Sequence, residues 1–235
     1  MYQAYVINLA ERKDRWENIQ KSFPEKDIKL ERFSALKGRL GPIYCALSHI
    51  EILKKAKEQK LPFVIVFEDD NLPTETFSRD FPKIVRWLTE NKDSWHIFNG
   101  NPTYFAKNDW NYFRKIPGFL KKHNENLIKQ IHSEPHLIKY SLGMTTNCVI
   151  YNDLCYDRII DQEKIYRNYI KNRLNYIKQE HKYDVLLCNM DFIHVTCYPF
   201  ITKQADGYSD ILRTNVNYDS ALNKSMLYID KNVLI

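Results

Sequence analysis

Three adjacent carboxylates, Glu68-Asp69-Asp70, end the run Phe63-Val64-Ile65-Val66-Phe67 and are followed by Asn71 and then Pro73. Five apolar residues in a row read as a short strand buried on both faces. Acids at the end of such a strand stand at a sheet edge, where open α/β sheets take their ligands. Carboxylates crowded this closely repel one another unless a cation sits among them, and hard oxygen donors suit Mn²⁺ or Mg²⁺. A solvated acidic turn is the competing reading. Paired glycosidase acids fit less well, because residues two apart on a strand face the same way and bring their carboxyls too close together.

Other chemistries lack their residues. The chain has no GxxxxGKS or GxxxxGKT loop, no GxGxxG after a strand and no GxSxG elbow, so P-loop, dinucleotide and α/β-hydrolase readings have no support. Ser48 and His49 are neighbours on a predicted helix and point to different sides, which rules out a nucleophile–base pair. His49 reads first as a polar core residue and second as a ligand contact. The cysteines, at 45, 148, 155, 188 and 197, are odd in number and lack a CxxC spacing. They read as reduced, buried thiols of a cytosolic protein, not as a disulfide frame or a zinc site.

The elements that must position the acids follow from periodicity. Residues 2–9 read as a strand, 11–22 as a helix, 28–34 as a strand and 43–58 as a helix opened by Pro42, ahead of the acid-ended strand. This alternation predicts a right-handed, mostly parallel sheet flanked by helices. Downstream, the pattern predicts a helix over 75–91 interrupted by Pro82 and a strand over 95–98. It also predicts an antiparallel pair at 137–142 and 146–151, with Asn152 or Asp153 capping the next helix. A long basic helix over 163–180, a buried segment opening at Tyr183-Asp184 and a strand over 192–198 complete the set. From 101 to about 127 no period holds, and a loop that long inside a domain reads as an acceptor wall or a surface excursion. The tail beyond 215 reads as polar chain that wraps or frays.

The whole reads as one domain over 1–235, without internal repeats or a low-complexity linker. With 44% hydrophobic and 14% aromatic residues, the chain can fill a core. Its formal charge of +6 suits an anionic ligand but does not imply nucleic acid. No stretch reaches the roughly 20 apolar residues of a membrane span. The N-terminus does not read as a signal peptide, so the expected location is cytoplasmic. The basic helix leaves peripheral contact with a membrane surface open.

Several blocks together resemble glycosyltransferase family 25. They are Val6-Ile7-Asn8-Leu9 with Arg12 and Asp14-Arg15, Arg32-Phe33-Ser34-Ala35, Gly41 ahead of Cys45-Ala46-Leu47-Ser48-His49, and Phe67-Glu68-Asp69-Asp70. Trp95-His96-Ile97-Phe98-Asn99-Gly100, Tyr183-Asp184-Val185, and Pro199-Phe200-Ile201 with Gln204 and Ser209-Asp210-Ile211 extend the likeness to about residues 4–211. Glu51, directly after the Ser-His pair, departs from the pattern. The family includes bacterial lipopolysaccharide sugar transferases, collagen galactosyltransferase domains and viral enzymes. Richness in Lys, Asn, Ile and Tyr suits an AT-rich genome, such as a large DNA virus (with a host-cytoplasmic location) or a low-GC bacterium.

The resemblance implies a GT-A fold, with a nucleotide-sugar-binding half over about 1–100, an acceptor half over about 101–214 and a C-terminal tail over 215–235. It also implies a DxD-type metal motif written here as Glu68-Asp69-Asp70, and an inverting, metal-dependent transfer. The donor would be a nucleotide-diphosphate sugar, UDP-linked, and the acceptor a hydroxyl of a glycan, glycolipid or protein. Asp70 and Glu68 would hold Mn²⁺ or Mg²⁺, with His194, Asp206 or Asp210 as a third ligand. Asn8, Arg12, Arg15, Ala35, Ser48, Glu68 and Asp69 are the candidate donor contacts. A salt-bridged surface is the plain alternative for the two arginines. Asp184, and after it Asp191, are the candidate general bases. A nucleotidyltransferase and a non-catalytic nucleotide-sugar-binding module remain as alternatives. Ala10-Glu11-Arg12 after the first strand is unlike a nucleotidyltransferase's Gly-rich loop.

Overall fold

The computed structural model describes residues 1–23, 28–103, 128–209, 211 and 214–233. In chain order the elements are β1 (Tyr2–Asn8), α1 (Lys13–Ser22), β2 (Ile28–Ser34), α2 (Gly41–Glu58), β3 (Phe63–Glu68), β4 (Asn71–Pro73), α3 (Phe77–Glu90) and β5 (Ile97–Asn99). There follow β6 (Lys129–Ser133), β7 (His136–Tyr140), β8 (Cys148–Asn152), α4 (Asp153–Ile160), α5 (Glu163–Lys171) and α6 (Tyr183–Asn189). The chain closes with β9 (His194–Tyr198), β10 (Thr202–Gln204), β11 (Gly207–Ser209), β12 (Thr214–Val216) and α7 (Asp219–Val233).

Eight strands form one mixed sheet in the order β2-β1-β3-β8-β5-β9-β7-β6. The β1–β2, β1–β3 and β5–β9 pairs are parallel, and the remaining neighbours are antiparallel. Alternation of side chains sorts the central strands into two cores. Tyr5, Ile7, Val64, Val66, Val149 and Tyr151 face α2, α4, α5 and α6. Ala4, Val6, Ile65, Phe67, Phe98 and Ile150 face α1 and α3. The result is the expected helix-flanked α/β architecture, a three-layer packing in which β3 is buried on both sides.

Local differences from the sequence reading have physical causes. α3 runs through Pro82 without a break, because Phe77, Phe81, Ile84, Val85 and Leu88 anchor one continuous buried stripe. β7 and β8 are not partners: β7 lies between β9 and β6, and β8 between β3 and β5. The basic helix over 163–180 ends at Lys171, and Arg173 follows in the left-handed region at φ 50°. Its Arg167 pairs with Glu163 and lies 3.7 Å from Glu51, which accounts for that charge on α2. The tail docks as α7 and buries Leu222 and Ile229 against Ile138, Tyr140 and Phe200. Asn152 caps α4, its side chain accepting from the Leu154 N–H at 3.1 Å. The irregular stretch assigned to an acceptor wall lies almost wholly outside the described residues, which resume at 128.

Candidate functional site

The C-terminal ends of β1, β2 and β3 lie side by side, with Asn8 opposite Ser34 and Ile7 opposite Glu68. The three acids therefore emerge at one sheet edge, and they divide by direction. Val64, Val66 and Glu68 alternate onto the α2 face, so Glu68 turns inward beneath α2. Its Oε1 accepts from the Thr146 hydroxyl at 2.9 Å, lies 3.5 Å from His49 Nε2, and faces the Cys45 thiol at 3.8 Å. Burial raises Glu68, but the adjoining His49, Thr146 and Cys45 more than offset it, leaving this carboxyl below the usual range.

Asp69 turns toward β1 and α1. Its oxygens accept from Asn8 Nδ2 at 2.7 Å and from Arg15 Nη1 at 2.8 Å. Asn8 is itself held by Arg32 Nε at 2.8 Å and donates to the Arg12 carbonyl at 3.0 Å. Burial still lifts Asp69 above its ordinary value, against Arg15 and Asn8.

Asp70 is clasped from the far end of the sequence. β4 pairs with β10, Gln204 Nε2 donates to Asp70 Oδ2 at 2.9 Å, and the Ala205 N–H donates to the Asp70 carbonyl at 2.7 Å. Asp70 Oδ1 is buried and has no hydrogen-bond partner. Burial and the nearby charge of Glu68, with a smaller push from Asp69, raise Asp70 from 3.8 to about 7 against Gln204 and Arg15. An anionic oxygen left bare among acids fits a hard divalent cation, and the donor set is of oxygen as Mn²⁺ or Mg²⁺ requires. Asp70 is where such an ion would be held; Glu68 contributes its nearby charge and turns its Oε1 away, beneath α2.

Asp184 opens α6 and not a strand. Tyr183, Leu186 and Leu187, at helical spacing, bury that element's inner side. The Val185 N–H donates to Asp184 at 2.9 Å. Burial raises Asp184, opposed by the Val185 and Thr145 amides and reinforced by the charge of Glu68. Two consecutive residues thus tie the acids together, Thr145 to Asp184 and Thr146 to Glu68. Thr145 holds φ at 79°, costly for a β-branched residue, and is braced by Asn99 Nδ2 to its carbonyl at 2.7 Å.

Two candidates are displaced by the strand register. Asp191 precedes β9 at the opposite edge of the sheet: Ile193 bonds to the amide of His96, whose carbonyl bonds Asn152, which stands opposite Phe63 at the start of β3. An exposed acid there cannot serve as the base, and its carbonyl instead accepts from Arg158 at 3.2 Å. His194 is level with Ile97 and Tyr151, hence with Val64. Three strands across and four residues along place its backbone roughly 19 Å from that of Glu68. It cannot share an ion with Glu68 and Asp70, and its Nε2 sits 3.3 Å from the Leu187 carbonyl.

Of the alternatives for a third ligand, Asp206 accepts from the Tyr218 and Asp219 N–H groups, capping α7, and Asp210 lies outside the described residues. Ser48 is fully buried, accepting from Leu36 N at 2.9 Å and donating to the Tyr44 carbonyl at 2.7 Å, so it braces the β2–α2 loop. Ala35 bonds through its N–H to the Asn8 carbonyl at 3.0 Å, and Arg12 pairs with Asp14 at 3.0 Å.

Sequence reasoning missed Cys45, Thr146 and Tyr218. Cys45 and His49 stand four apart on one helix face, a spacing that was available in the sequence. Thr146 and Tyr218 carry no local signal. Burial raises Tyr218, which bonds Ser209 and lies within reach of the charges of Asp70 and Glu68.

A mixed sheet with flanking helices and an acidic edge at the ends of its parallel strands defines a GT-A-like α/β protein. The chain belongs to glycosyltransferase family 25, described as an LPS biosynthesis protein family, which matches residues 39–205. A 110-residue stretch is 32% identical to the lipooligosaccharide biosynthesis protein lic2B of Haemophilus influenzae, covering 38% of this chain and 41% of that protein. The chain therefore spans about two fifths of that relative's length. The crystal structure of A197 from STIV overlays with a TM-score of 0.44 at 11% identity, over 92% of this chain and 93% of that one. Among the described residues, no helix is long and apolar enough to cross a membrane.

Proposed function

We propose that the chain transfers a glycosyl group, with inversion, from a nucleotide-diphosphate donor to a hydroxyl acceptor, with Mn²⁺ or Mg²⁺ bound at Asp70. The donor is UDP-linked, and the acceptor is a glycan, glycolipid or protein. The observation that carries this reading is the buried, unpartnered Oδ1 of Asp70 at the acidic sheet edge. A carboxylate in that setting is disfavoured as a bare anion and relieved by a cation. When bound, the ion supplies charge neutralisation to the departing diphosphate. The name of the Haemophilus relative supports a lipooligosaccharide-type glycan as acceptor, and family membership supports glycosyl transfer.

The chain's own residues take the other roles. Arg15, fixed by Asp69, sets a positive charge beside the edge, and Asn8 orients Asp69. Asp184 is the general base, since burial gives it more proton affinity than a free carboxylate. The acceptor oxygen bonds to the anomeric carbon as the bond to diphosphate breaks, and the hydroxyl proton passes to the Asp184 carboxylate.

The test is nucleotide-diphosphate release from a panel of nucleotide sugars, with and without Mn²⁺. Turnover should require the ion and fall about a hundredfold or more in Asp70→Asn. Equal turnover in chelator, or in that variant, overturns the reading.

A further inference from the structure

We propose that Cys45, His49 and Glu68 form a site for a zinc-type divalent cation, on the α2 side of the acidic edge and separate from the ion proposed at Asp70. The three ligand atoms lie within 4.8 Å of one another. Their placement follows from two periodicities. Residues 45 and 49 share a face of α2, and Glu68 is the strand position whose parity turns it toward that face.

The His49–Glu68 spacing suits a metal better than a hydrogen bond, and the thiol that now donates weakly to Glu68 stands at a distance a shared ion could span. With bonds of about 2.3 Å to thiolate and about 2.0 Å to imidazole and carboxylate, tetrahedral edges come to about 3.3 Å for N···O and about 3.5 Å for S···O. Here His49 Nε2 to Glu68 Oε1 is 3.5 Å, and Cys45 Sγ to Glu68 Oε1 is 3.8 Å. An N–H···O bond prefers about 2.7–3.2 Å. His49 is fully buried, and its Nε2, aimed into the cluster, has no hydrogen-bond partner. The other ring nitrogen, Nδ1, lies 3.1 Å from the Tyr151 hydroxyl, the kind of contact that fixes a ligating imidazole's tautomer and orientation.

The donor set selects the ion. Thiolate and imidazole favour Zn²⁺ over Mn²⁺ and Mg²⁺, which prefer all-oxygen shells. On binding, the Cys45 S–H proton leaves to solvent as the sulfur–metal bond forms. His49 would bind through Nε2 with Nδ1 turned to Tyr151, and Glu68 through its carboxylate. Thiolate and carboxylate then balance the ion's two charges. Three protein ligands leave the fourth position to water, the pattern of open zinc sites. The cysteine spacing that argued against a zinc site considered cysteines alone; here one cysteine serves with a histidine and an acid brought from another element.

Co²⁺ is the probe, bound to the whole chain after chelation and dialysis. A single equivalent should give the absorption of a thiolate–cobalt bond, and Zn²⁺ should displace it. The band should vanish in Cys45→Ser and His49→Gln, persist in Asp70→Asn, and need about 10–100-fold more metal in Tyr151→Phe. Circular dichroism checks that each variant is folded, and Cys45→Ala replaces any that is not. A band that survives Cys45→Ser, or wild-type protein that shows none, overturns the proposal. Because glycosyl transfer and its dependence on Asp70 are read separately, either proposal can fail alone.

Discussion

Asp70 is a carboxylate that the fold holds in its less comfortable form. Raised from 3.8 to about 7, it favours the folded state when protonated. Its contribution to stability is complete below about pH 4 and is lost as pH rises through about 7, a span worth on the order of 4 kcal/mol. Asp70→Asn, which cannot ionise, should melt higher than the wild type at pH 8 without metal and show no such advantage at pH 4. Mn²⁺ should narrow the gap at pH 8 by stabilising the wild type. Parallel melting curves for the two proteins across that range would refute this account of Asp70. The acid triplet was legible in the sequence as the end of a buried strand, and Asn8 and Arg15 were drawn to it by the family resemblance. Their division of labour was not legible. It depends on partners such as Gln204 for Asp70 and Thr146 for Glu68, which no local spacing announces.

At the scale of elements, periodicity found what was long or doubly buried. β2 falls at residues 28–34 as read, and α2 and β3 lie within two residues of their expected bounds. Short apolar runs were less decisive, since a run such as Tyr183–Leu187 suits a buried strand or one face of a helix equally. Tyr183 packs on His49, with ring centroids 4.9 Å apart, and the helical form is what brings Asp184 toward Thr145 at the same time. The tail wraps onto the body, one of the two expected outcomes, but its helix was not read for a related reason: its apolar residues are sparse, and α7 gains its stability by covering Ile138, Tyr140 and Phe200. Ile229 is fully buried there, so Ile229→Ala should cost about 2–5 kcal/mol in urea unfolding. A loss below about 0.5 kcal/mol would mean that α7 is not docked in solution.

Across the whole molecule, the mixed sheet decides which acids can work together. Its register puts Asp191 at the far edge, whereas α6 holds Asp184 by Thr145 and within the charge of Glu68, although the two acids are only seven positions apart in sequence. Asp184→Asn should therefore lower kcat by about 10²–10⁴ while leaving donor binding intact. Asp191→Asn should leave both unchanged. Comparable kcat losses in the two variants would contradict the register argument.

The clasp on Asp70 also bears on the order in which the molecule assembles. Asp70 and Gln204 are 134 residues apart, and their contact closes one of the longest loops in the chain. During synthesis the acids leave the ribosome early and wait through more than half of the chain for β10 to reach them. The parallel β2-β1-β3 unit can pair before then, but the edge it presents is unfinished. Long-range closures of this kind are paid for in entropy before they are rewarded, so they form late. The cation site proposed at Asp70 is thus completed only in the finished protein, and its last part arrives with the last third of the sequence.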